Sequence, residues 1–70
     1  MSATTDRILD LQTLAVKWSL EPPSYQKTMF GLWLNDELTD IYNSGNLVHS
    51  DMVDFYAVIQ IMIDRILPQV

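Results

Sequence analysis

The segment DIYNSGNLVHSD, Asp40 to Asp51, has a spacing that raises metal chemistry: an acid at each end, Gly45 at the sixth position and apolar Leu47 at the eighth. A calcium-binding helix–loop–helix uses that frame, but it also needs several convergent oxygens. Tyr42 and Val48 occupy the third and ninth positions and supply no carboxylate, and Asp51 is shorter than the glutamate that normally chelates from the twelfth. A helix end, a glycine turn and a new helix start account for Gly45, Asp51 and Asp54 without an ion. No metal site is assigned, and a metal-responsive helix–loop–helix stands as a lesser alternative.

Other reactive side chains lack companions. His49 is the single histidine, and there is no cysteine, so neither a zinc set nor a disulfide framework can be assembled. Ser24 and Ser50 stand where helix caps belong, outside any Ser-His-acid or Gly-x-Ser-x-Gly arrangement. Two glycines, Gly31 and Gly45, make no phosphate-binding loop. The expectation is a protein without enzymatic activity, with no catalytic residue and no cofactor.

Charge offers a different chemistry. Nine acids against four bases give a net charge of −5, which repels phosphate backbones and anionic headgroups, so neither nucleic acid nor membrane is expected as a direct partner. The charge-free run Phe55–Ile63 is nine residues, far short of the roughly 20 that span a bilayer. The opening MSATTDR lacks the basic flank and apolar core of a signal peptide, and the expected location is cytoplasmic. Asp36, Glu37 and Asp40 lie late in a helix, where the dipole disfavours them, and form a candidate recognition patch for a basic partner.

Three helical segments must position these groups. Pro22-Pro23 and the cluster Asn43-Ser44-Gly45-Asn46 divide the chain into helices of about 5–20, 24–43 and 50–67, an all-α three-helix bundle forming a single domain over 1–70. In the first, Thr4 or Thr5 is the candidate cap, and Ile8, Leu11, Leu14, Ala15 and Trp18 share one face. The second carries two stripes. Phe30, Leu34, Leu38, Ile41 and Tyr42 can face a core, while Tyr25, Met29, Leu32 and Trp33 fall elsewhere and need another contact. Gly31, costly in a helix interior, suggests a close approach at that point.

The third segment is apolar nearly all round. Helical periodicity places Phe55, Met62, Ile66, Ile59, Met52, Ile63, Tyr56 and Leu67 on one arc, with Val53, Ala57, Val58 and Ile61 outside it. Two short helices cannot enclose such a helix, and 49% hydrophobic residues exceed what one small domain hides. The predicted interface is therefore Tyr25, Met29, Trp33, Val53, Ala57, Val58 and Ile61, and the predicted protein is a homodimeric interaction or regulatory module. The alternative is an acidic inhibitor or nucleic-acid mimic that occupies a basic site on its target.

Overall fold

The structure, a computed structural model, describes residues 2–67. Helix α1 runs Ala3–Ser19 and α2 runs Tyr25–Asn43; a third helical segment opens with a 3₁₀ turn at His49–Asp51, continues as α3 over Met52–Ile61 and closes in a π turn at Met62–Ile66. The predicted all-α three-helix bundle is what forms, with no strand among the described residues.

The ends are set by local chemistry. Ser2, extended at φ −81°, ψ 154°, caps α1 by accepting from the Thr5 N–H at 3.0 Å. The cap therefore precedes Thr4 and Thr5, because the hydroxyl of Thr5 is taken by a tertiary contact described below. Ser24 caps α2 as expected, accepting from the Lys27 N–H at 3.1 Å. After α2, Gly45 turns the chain at φ +77°, a left-handed conformation that only glycine adopts without cost. The Leu67 N–H reaches back five residues to the Met62 carbonyl at 2.7 Å, and Leu67 itself has left helical geometry at φ −111°, ψ 69°. Pro68, read as the stop, lies outside the described residues.

One core joins the three segments. Ile8, Leu11 and Ala15 of α1 meet Leu34, Leu38 and Ile41 of α2 and Phe55, Val58, Met62 and Ile66 of the third segment. Here the wheel expectation needs correcting. Val58, placed outside the core arc, is fully buried, whereas Tyr56 and Ile63, placed inside it, are 59% and 44% exposed. The cause is the unequal contribution of the two neighbours. The broadest contact of α3 with another helix is with α1, and α2 meets the third segment more at its π turn than along α3. The buried side is rotated toward α1 accordingly.

Two further features follow from that packing. Gly31 lies under the C-terminal turn: a Cβ there would stand 2.6 Å from the Leu67 Cδ2 and 2.9 Å from the Ile66 Cγ2. The close approach inferred from sequence is therefore made by side chains of the same chain. Lys27 is buried along its stem and donates from Nζ to the Glu21 carbonyl at 2.7 Å, which ties α2 to the Pro22-Pro23 connection.

Candidate interaction surface

Four large apolar side chains lie on the face of α2 that points away from the core. Tyr25, Met29, Leu32 and Trp33 are between 44% and 75% exposed, while Lys27, Gly31, Leu34, Leu38 and Ile41 on the opposite face are buried. At 100° per residue the outer four form one stripe, and Asp36 and Asp40 extend it toward the helix C-terminus. Trp33 is held at its inner edge. Its ring lies 5.5 Å from Phe30, which stacks on Trp18 of α1 at 5.2 Å and an interplanar angle of 14°. A side chain fixed by such contacts loses less freedom when a partner covers it.

The acidic patch is partly answered from within. Arg7 of α1 donates from Nη2 to Glu37 Oε1 at 3.1 Å and to Asp40 Oδ2 at 3.2 Å. The guanidinium pKa is raised from its ordinary value, first by the hydrogen bond to Glu37 and also by that to Asp40. Glu37 and Asp40 are thus shared with a base, and Asp36 remains on the outer stripe. A patch of three acids read from sequence becomes a mixed cluster with one projecting carboxylate.

On the third segment the predicted interface residues separate. Val53 is 79% exposed. Ala57 and Ile61 are half-buried and, with Val16 and Leu20, line a shallow groove of about 460 Å³ between α1 and α3. Val58 belongs to the core and presents no outer surface. A second groove, of about 340 Å³, opens between α2 and α3, with Tyr42, Tyr56, Ile59 and Ile63 on its walls and Asn35 and Thr39 at its rim. Sequence reading placed Tyr56 and Ile63 in the core and so missed it, because how little α2 meets α3 is a tertiary property that periodicity does not carry.

The ends of the calcium-like frame are each engaged separately. Asp40 is held by Arg7, and Asp51 is buried with Oδ1 accepting from the Thr5 hydroxyl at 2.8 Å. Among the described residues no three His, Asp or Glu side chains are grouped to hold an ion. His49, Ser24 and Ser50 are exposed, and Ser24 serves as the cap of α2. No helix is long and apolar enough to cross a membrane among the described residues.

Comparison with protein-family models, with curated proteins and with solved structures gives no match for this chain.

Proposed function

We propose that the protein is a small non-enzymatic interaction module that works as a homodimer. The observation that carries this reading is the outer stripe of α2, Tyr25, Met29, Leu32 and Trp33, which is apolar, contiguous and turned away from its own core. A standard interface removes about 800 Å² from each partner, roughly one sixth of the 4832 Å² that this molecule presents. At about 200 Å² for a large side chain, the four exposures amount to roughly 400 Å², enough for the apolar centre of such a contact with a polar rim around it. Aromatic residues are frequent anchors of interfaces, and Trp33 and Tyr25 occupy the stripe.

Tryptophan emission tests the reading. In a Trp18→Phe chain Trp33 is the sole tryptophan, and its stack neighbour Phe30 keeps an aromatic partner. Association is expected to shift Trp33 emission to shorter wavelength at micromolar concentration and to release it on dilution. Emission that is independent of concentration over that range counts against the dimer.

A further inference from the structure

Deepening the homodimer reading on which it rests, we infer that two copies join by pairing their α2 helices antiparallel, with the two-fold axis at Met29. The first ground is the charge pattern of α2. Its first turn has no acid and its last turn no base, while Asp36 and Asp40 lie in its second half on the outer stripe. A helix favours the opposite distribution, acids near its N-terminus and bases near its C-terminus. In an antiparallel pair Asp36 of one copy lies beside the N-terminal end of the other, so the start of each helix receives from its neighbour the negative charge that it lacks. A parallel pair would set Asp36 beside Asp36 of the partner subunit, two carboxylates without a base between them on one seam, whereas Asp40 is bonded to Arg7 of its own copy.

The second ground is register. With the axis at Met29, Tyr25 faces the partner's Trp33, eight positions along, and Met29 meets Met29 of the partner subunit. At 1.5 Å per residue, Asp36 then lies about 10 Å along the axis from the two-fold, and the first residue of the partner helix about 6 Å. Asp36 therefore stands just past the partner's N-terminus, where the N–H groups of its opening turn point outward. Sliding the axis to midway between Leu32 and Trp33 would press Asp36 onto the partner's Met29 and bury a carboxylate against an apolar group. The stripe and its charges select one register.

Spin labels at two exposed α2 positions that leave the seam intact test this arrangement, and the native chain has no cysteine to compete. Nitroxides on Thr28→Cys, one residue from the axis, are expected to lie close enough to broaden each other's spectra. Nitroxides on Asn43→Cys are expected about 40 Å apart, from 28 residues of helical rise. Short distances at both positions would overturn the antiparallel order. Long distances at both, in a chain that still sediments as a dimer, would overturn the α2 seam and leave the homodimer reading standing. Labels that never couple, in a chain that sediments as a monomer, would remove both.

Discussion

The Thr5 hydroxyl donates a 2.8 Å hydrogen bond to Oδ1 of Asp51, 46 residues away, and so ties the first turn of α1 to the start of the third helical segment. Asp51 is only 3% exposed, and its other oxygen, Oδ2, has no hydrogen-bond partner among the described residues. Among the described residues one hydroxyl is therefore the only side-chain donor to this buried acid.

Thr5→Val removes that donor while keeping the shape, and a buried acceptor left without a partner costs about 1–3 kcal/mol. The expected result is a lower urea midpoint. Replacing both partners, Thr5→Val with Asp51→Leu, is expected to recover much of the loss, because no polar group is then stranded. A Thr5→Val chain as stable as the native one would show that the bond contributes nothing.

Gly31→Ala sets two effects against each other. The methyl adds about 1 kcal/mol of helix propensity, but it enters space held by Leu67 and Ile66, and overpacking costs about 1–3 kcal/mol. A net loss is expected, read as a melting temperature lower by several degrees in a domain of this size. Leu67→Ala should cost less in the Gly31→Ala background than alone, since the two changes share one space. A variant that melts higher than the native protein would contradict the packing at this point.

Val53 and Val58 separate surface from core on one helix. Val58→Asp places a carboxylate in a site with no accessible surface, at a penalty of several kcal/mol, against a total of about 4–10 kcal/mol for 70 residues. Circular dichroism is expected to show an unfolded chain. Val53→Asp, at a position 79% exposed, should change stability by no more than about 0.5 kcal/mol. A cooperative, helical Val58→Asp protein would refute the assigned core.

How much of this was legible in the sequence follows from the range of each interaction. The three helices are local matters: Ser24 next to Tyr25, Gly45 past Asn43 and the 3.6 period of α2 are all readable along the chain. Tyr25, Met29 and Trp33 separated from Leu34, Leu38 and Ile41 for the same reason. Where a helix is apolar on every side, periodicity stops discriminating, so Val58 was exchanged with Tyr56 and Ile63. Asp51 and the acids on Arg7 depend on partners from another part of the chain, which no local pattern records. Gly31 lies between these cases, since its cost in a helix signals a close neighbour without naming Leu67.

Sedimentation equilibrium of the native chain beside Met29→Glu addresses self-association through the outer face of α2 most directly. The native protein is expected to approach twice its 8.1 kDa at micromolar concentration, and Met29→Glu, with unchanged helical signal, to remain at 8.1 kDa. A native mass of 8.1 kDa throughout, or a Met29→Glu mass that still doubles, would contradict it.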